Sequence, residues 1–346
     1  MATEPVAEVG VEGPAVFEEQ ARRERVAGLS PWRLALRRLR RNRTSIAFGA
    51  LFVVIVALCL AAPLWAHEVA HTSPIKNHLT DTVKVGGKKK DVVAPDGVPI
   101  GPTWRGRFFL GADPNGRDTA VRLLYGGRNS LLIGVGAALI TAFLAAILGS
   151  LAGYFRGFLD TFISRALDVI WAFPVVLLGV ALGTALTLAG LHLGPITISG
   201  KSKLIPTLII AVVYVPYMAR PIRGQVLSLR EKEFVEAARA QGAGPLRIML
   251  SEILPNLAST VIVFLPLMVA NAILLEAALG FLGVGVQPPE PSWGTMIGDG
   301  VERILSGPHL AIVPGLMLVL TVLALNVFGD GVRDAFDPRA KVHLEH

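Results

Sequence analysis

Six stretches of the chain, 46–65, 129–155, 169–200, 204–219, 253–275 and 304–329, contain no charged side chain. A helix needs roughly 20 apolar residues to cross a ~30 Å hydrocarbon layer. Five of the runs reach that length. The run starting at Leu204 is shorter and holds Pro206 and Pro216, which makes it the weakest of the six. The pattern predicts an all-α membrane protein with about six transmembrane helices. Between the fourth and fifth runs the pattern changes. Residues 233–256 read EFVEAARAQGAGPLRIMLSEILPN, a charged segment rich in helix formers and broken at Gly242-Ala243-Gly244-Pro245. Helix formers over 231–241 predict one short helix, the glycines its end, and Pro245 the start of a second. Two short helices at an angle would make a protruding elbow between two membrane spans.

Composition agrees with a membrane protein: 52% of the 346 residues are hydrophobic, and they are bunched rather than dispersed. The cations then orient the chain. Arg22, Arg23, Arg25, Arg33, Arg37, Arg38, Arg40, Arg41 and Arg43 all precede the first run. By the positive-inside rule this places the N-terminus in the cytoplasm. Six spans return the C-terminus, with Arg333 and Arg339, to the same side, and the elbow falls there too. The segment 67–128 falls outside. Its Lys88, Lys89 and Lys90 are tolerated because loops of that length translocate largely regardless of charge. The net charge of +7 therefore calls for no nucleic-acid partner, since the cations flank apolar runs instead of covering one soluble face. The single cysteine, Cys59, lies inside the first run and closes no disulfide within the chain.

The organisation expected from these signals is a disordered cytoplasmic leader at 1–29 and an amphipathic interfacial helix at 30–44. A first span at 45–66 and an extracytoplasmic loop at 67–128 follow. A five-helix core at 129–340 carries the elbow at 220–256, and a tail at 341–346 reads as a tag remnant. Ser30-Pro31-Trp32 reads as helix cap, first helical residue and interfacial aromatic, with Trp32, Leu36 and Leu39 on one face. In the outer loop, VVAPDGVPI predicts a short hairpin. No signal peptide is expected, because the first apolar run stands behind an acidic leader.

Two motif matches fail on their chemistry. Gly111-Ala-Asp-Pro-Asn-Gly116-Arg117-Asp118 has P-loop spacing, but Arg117 and Asp118 stand where lysine and a hydroxyl are needed. It reads instead as a turn leading into a helix. His67-Glu68-Val69-Ala70-His71 spells the zinc-protease string, two histidines one helical turn apart with a glutamate base. Pro74 limits the helix and spacing nominates no third ligand. A membrane metalloprotease therefore stays a distant alternative, and no metal site is expected.

The elbow carries the stronger match. Glu236-Ala237-Ala238, then Gly242 after three residues, then Leu254-Pro255 resemble the EAA loop of ABC importer permeases, with Glu252 departing where the family has isoleucine. Gly116-Arg117-Asp118, Gly153-Tyr154, Asp160, Arg165, Asp168 and Ala172-Phe173-Pro174 resemble the dipeptide/oligopeptide/nickel permeases in particular. So do Glu276-Ala277-Ala278, Gly285 to Pro289, Ser292-Trp293-Gly294 and the tail Asp337-Pro338-Arg339. The likeness covers most of 110–340 and is nearest to the second permease subunit of a dipeptide importer. The region 68–109 lies outside it.

That resemblance implies a type I importer permease (MetI-like) fold. It also implies a second, homologous permease subunit, two cytoplasmic ATPases that carry ATP and Mg²⁺, and an extracytoplasmic binding protein. This chain itself would hold no cofactor and catalyse nothing. The elbow becomes the coupling helix. Ala237, Ala238 and Gly242 let another protein approach closely, Gly244 belongs to the break, and Glu236, Arg239 and Arg247 form a polar rim. Leu254 and Pro255 close the motif. Inside the spans, Glu276, Asn271 and Asn326 are the candidate pathway or gating residues. Glu276 can meet a peptide ammonium or serve a structural turn, and the two asparagines can join helices by hydrogen bonds. A nickel permease of the same family is the alternative that His67, His71 and His78 keep open.

Overall fold

The computed structural model describes residues 31–336. The leader at 1–29, the Ser30 cap, Asp337-Pro338-Arg339 and the tail at 341–346 lie outside the described residues.

The chain opens with α1 (Pro31–Leu39) and α2 (Arg43–Leu60). Asn42 caps α2 by accepting a hydrogen bond from the Ser45 amide at 3.1 Å. Trp32 of α1 packs edge-on against Phe336, and Arg38 donates to the Ala335 carbonyl at 3.4 Å. The Trp32 face expected to lie on the membrane is thus shared with the end of the last helix, while Leu36 remains exposed.

Helical turns continue α2 to Val69 and lead into a folded loop. There β1 (Thr82–Val85) pairs antiparallel with β2 (Lys88–Asp91) across Gly86-Gly87. This hairpin was not anticipated. The expected one at 92–100 reduces to a single bridge, Val93 to Pro99.

The bundle follows: α3 (Thr119–Phe155), α4 (Gly157–Trp171) and α5 (Val175–Ala189), a small β3–β4 hairpin (Leu191–Leu193, Ile196–Ile198), then α6 (Leu204–Leu229). After α6 come α7 (Glu233–Ala240), α8 (Pro245–Ile248), α9 (Leu254–Phe281), α10 (Trp293–Val301) and α11 (His309–Phe336). Among the described residues, five helices are long and apolar enough to cross a membrane: α2, α3, α6, the continuous helix Pro245–Phe281, and α11. The α4–α5 pair makes a sixth if its two halves are one span.

Three runs differ from their expected form. The run at 169–200 is not one straight span: α4 and α5 meet at 89° across the break at Ala172–Pro174. Proline lacks an amide hydrogen and drives the residue before it out of the helical region, so Phe173-Pro174 ends one helix and starts another. The run at 204–219 belongs to a 26-residue helix that continues through Arg220 and Arg223. Its Ile205, Ile210, Met218, Ile222 and Val226 are fully buried, and Thr141 of α3 donates to its Ala211 carbonyl at 3.0 Å. Apparent weakness in the sequence thus belongs to the most enclosed helix of the bundle. Finally, α3 begins at Thr119, well before residue 129. At 37 residues it is about 55 Å long, so it overreaches a ~30 Å hydrocarbon layer and its first turns, with Arg122, stand outside the apolar run.

Candidate functional site

Helix α7 ends at the expected glycine break and Pro245 starts the next helix. Helix α7 ends in a paired hydrogen-bond turn: Ala243 N–H donates to the Ala238 carbonyl at 3.0 Å and Gly242 N–H to the Arg239 carbonyl at 2.9 Å. This is the Schellman arrangement, whose closing residue takes a left-handed conformation. Gly242 sits there with φ +80°. Its missing side chain would meet nothing within 4 Å in this chain, so the backbone angle, not crowding inside the subunit, requires glycine. Gly244 caps the next helix with Pro245 at its first turn. The expected second short helix is the start of a span. It passes through one wide turn at Met249–Ile253 straight into α9, because no helix breaker stands between Pro245 and the apolar run.

One face of the elbow anchors it and the other is free. Val235, Ile248, Ile253 and Leu257 are buried in the main core, with Ala238 and Ala243 packed against it. At the base, Arg156 pairs with Glu231 at 2.6 Å and Arg230 donates to the Tyr154 carbonyl at 2.6 Å. Glu236, Ala237, Gly242, Gly244, Arg247, Leu254 and Pro255 are exposed. Arg239 is exposed too and lies 5.9 Å from the Tyr154 ring centroid. Phe234, Leu246 and Leu250 are exposed beside them. The result is a rigid, small-residue surface edged by charge and flanked by apolar side chains.

At the far end of α9, Glu276 is fully buried, with neither carboxylate oxygen in a completed hydrogen bond. Its polar neighbours are the hydroxyls of Ser130 and Ser292. Both already accept backbone hydrogen bonds, Ser130 from Trp293 N–H at 3.1 Å and Ser292 from Thr295 N–H at 3.2 Å. Ser292 and Thr295 form a capping box that starts α10. The Trp293 indole, itself buried, donates to the Leu123 carbonyl at 3.1 Å. Gly127 makes room for this ring: a Cβ there would sit 2.5 Å from both Trp293 and Cys59. Glu276 therefore lies in a sealed joint between α3, α9 and α10. Asn271 offers its backbone carbonyl to the Tyr214 hydroxyl at 3.3 Å, and the buried Asn326 Oδ1 has no partner. Asn129 of α3 donates to Glu290 at 3.0 Å and to the Pro291 carbonyl at 2.7 Å, tying that helix to the loop before α10. An amide at the first turns of an apolar run, followed by Ser130, was the available signal.

The two motif matches resolve as local structure. In the Gly111–Asp118 turn, Asp113 accepts from the amides of Asn115 and Arg117, both at 2.9 Å, and pairs with the Arg117 side chain at 2.6 Å. The turn's amides are thus engaged by its own carboxylate. Asp118 caps α3 through the Ala120 and Val121 amides. In the other match, His71 takes φ +48°, which ends the helix before the second histidine can share a face with the first. His67 pairs with Glu68 at 2.8 Å. His78 lies apart and buried, bonded to Thr72 at 2.7 Å and contacting Arg107 and Asp81. Among the described residues no three His, Cys, Asp or Glu side chains gather as a metal site.

His78 is expected to make the loop pH-sensitive. Burial, then the neighbouring Arg107 charge, pull its pKa below the usual 6.5. An unfolded His78 takes up a proton at an ordinary pH where the folded one resists. Stability from this group is complete above about pH 6.5 and declines as pH falls below it. Amide exchange over 72–118, corrected for intrinsic rate, should show lower protection at pH 5.5 than at 7.5. Equal protection at both would remove His78 as the cause.

Residues 128–342 match the family described as binding-protein-dependent transport system inner membrane component. The chain belongs to this family. Residues 30–80 also match the N-terminal transmembrane domain of oligopeptide transport permease C, so the likeness reaches beyond 110–340 into the first span and the loop after it. The chain is 36% identical over 319 residues to the dipeptide transport system permease protein DppC of Alkalihalophilus pseudofirmus, covering 92% of this chain and 93% of the relative. It is 34% identical to the glutathione transport system permease protein GsiD of Pectobacterium atrosepticum (90% and 92% covered). It is 32% identical to the oligopeptide transport system permease protein OppC of Haemophilus influenzae (97% and 98%). Among solved structures, the inward-facing MetNI methionine ABC transporter aligns with a TM-score of 0.50 at 18% identity, over 62% of this chain and 96% of that one. The expected importer-permease fold is therefore the observed one. The permease is a multi-pass membrane protein, and its relatives are transport subunits rather than enzymes.

Proposed function

We propose that this permease forms one half of a heterodimeric pathway that imports di- or oligopeptides by alternating access. The elbow is its ATPase dock and faces the cytoplasm together with both termini. Two ABC ATPases carry ATP and Mg²⁺ there, and a binding protein delivers solute on the opposite side. The observation that carries the reading is the exposed elbow. A preformed, core-anchored surface of small residues with a charged edge suits close docking of a rigid partner. ATP-driven closure of the ATPases would push α7, and through the unbroken helix from Pro245 the push reaches Glu276 and α10 at the far end. Packed interfaces of this kind switch between discrete states.

The test is reconstitution. This chain, tagged and expressed with the genes that adjoin its own, is expected to copurify with a second permease and ATPase subunits. In liposomes the complex should take up a radiolabelled dipeptide when its binding protein and ATP are supplied on opposite sides. Purification without an ATPase, or ATP-dependent uptake of another solute but no peptide, overturns the proposal.

A further inference from the structure

Helix α4 has two unlike faces. Phe158, Phe162 and Val169 are exposed on one. The other carries Asp160, Ser164, Asp168 and Trp171 at spacings of four, four and three, a single helical face. That face meets α6, where Tyr214, Tyr217, Arg220 and Arg223 follow one another at intervals of three, one ridge of the helix surface. The contacts form a graded seam. At one end Arg223 grips Asp160 with two hydrogen bonds of 2.6 and 2.7 Å. Next, Arg220 pairs with Asp168 at 2.7 Å and lies 4.3 Å over the Trp171 ring. Trp171 packs at 4.1 Å on Tyr217, which is 5.4 Å from Tyr214. Tyr214 in turn reaches the Asn271 carbonyl of α9.

A cavity of about 360 Å³ opens on this seam, walled by Ser164, Leu167, Asp168, Arg220 and Arg223. That is within the ~300–1,000 Å³ of small-molecule sites. Charged groups on spanning helices face a partner or water, and this pair faces both: the Asp168 and Arg220 side chains are 49% and 40% exposed. Their hydrogen-bonding capacity is also unspent. Arg220 uses one of its two terminal nitrogens on Asp168, and the second Asp168 oxygen has only Arg165, at 3.9 Å. Arg223 and Asp160, by contrast, hold each other with two hydrogen bonds.

We propose that the α4–α6 seam walls the solute path on the elbow side of the membrane, with Arg220 receiving the carboxylate and Asp168 the ammonium of a passing short peptide. The aromatic ridge beyond them accepts its side chains without demanding particular ones. The inference rests on the reading of the chain as a peptide-importer permease and assigns residues within it.

Two measurements on the reconstituted complex test the seam. In the first, Ser164→Cys is exposed to a water-soluble cationic thiol reagent, with labelling read on this chain by mass. Cys59, the sole native cysteine, is buried. Labelling is expected, and saturating peptide during ATP turnover should slow it by about fivefold or more, with ATP alone as the control for shape change. No labelling, or labelling equally fast with and without peptide, overturns the proposal. In the second, Arg220→Glu should lower dipeptide uptake about tenfold or more through loss of a charge-assisted contact. The double variant Asp168→Arg with Arg220→Glu restores an ion pair but reverses the polarity of the site, and uptake should stay low while the complex still assembles. Recovery to near the unaltered rate would make the pair purely structural and sink the idea. Peptide uptake by the unaltered complex is measured alongside. Its absence removes the peptide-importer reading and this inference with it, whereas its presence with an unprotected Ser164→Cys removes only the inference.

Discussion

Replacing Gly242 by aspartate is expected to leave the permease in the membrane while abolishing coupled transport. The left-handed angle at the end of α7 costs a side-chain-bearing residue roughly 1–2 kcal/mol, so the Schellman turn that aims the elbow is weakened. The new carboxylate also points into space that is open in this chain and that the proposed ATPase must enter. A charge buried at such an interface without a partner costs several kcal/mol, enough to remove most binding. The spans hold apolar surface far from this residue, so insertion should be normal. Gly242→Ala separates the two effects, since it carries the backbone penalty with almost no bulk. It should lower ATPase copurification far less than the aspartate. Equal, unimpaired coupling in both variants would remove the elbow as the docking site.

The second large effect is expected at Glu276. Its side chain is enclosed between α3, α9 and α10 with only hydroxyl neighbours. Glu276→Gln keeps the shape and a polar end and should retain uptake within about twofold, since a neutral amide can still meet Ser130 and Ser292. Glu276→Lys forces a longer cation into a site with no counter-charge and should cost ~3–5 kcal/mol. Folded, detergent-soluble complex should be largely lost, as gel filtration would show. If Gln instead abolished uptake in an assembled complex with normal ATP hydrolysis, the carboxylate would belong to the solute pathway rather than to a joint.

How much of this could be read from residues alone varied with the distance over which each signal acts. Helicity of the spans and the caps at Asn42, Asp118 and Ser292 depend on neighbours a few residues away, and chain order states them. The failure at 169–200 came from treating absence of charge as continuity: Phe173-Pro174 was visible, but an 89° bend is set by what α4 and α5 each pack against. The opposite error at 204–219 arose because a charge-free run stops short at Arg220 and holds Pro206 and Pro216, which made the helix look weak. The partners of Arg220 and Arg223, Asp168 and Asp160, lie 52 and 63 residues earlier, and only the pairing explains why a helix can carry those charges onward.

The elbow divides in the same way. Its break, its glycine and its motif spacing were legible, because a Schellman turn is a contact among six consecutive residues. That α8 runs unbroken into α9, and that Val235 pins the elbow to the core, were not. By itself the sequence determined the apolar character of the spans, the helix start at Pro245 and the family to which the chain belongs, all consequences of local pattern. The tertiary structure alone decided that Glu276 is sealed away from open space and that the histidines stand apart. It also decided that Asp168 and Arg220 share a cavity, because burial and pairing are properties of helices that meet only after the chain has folded.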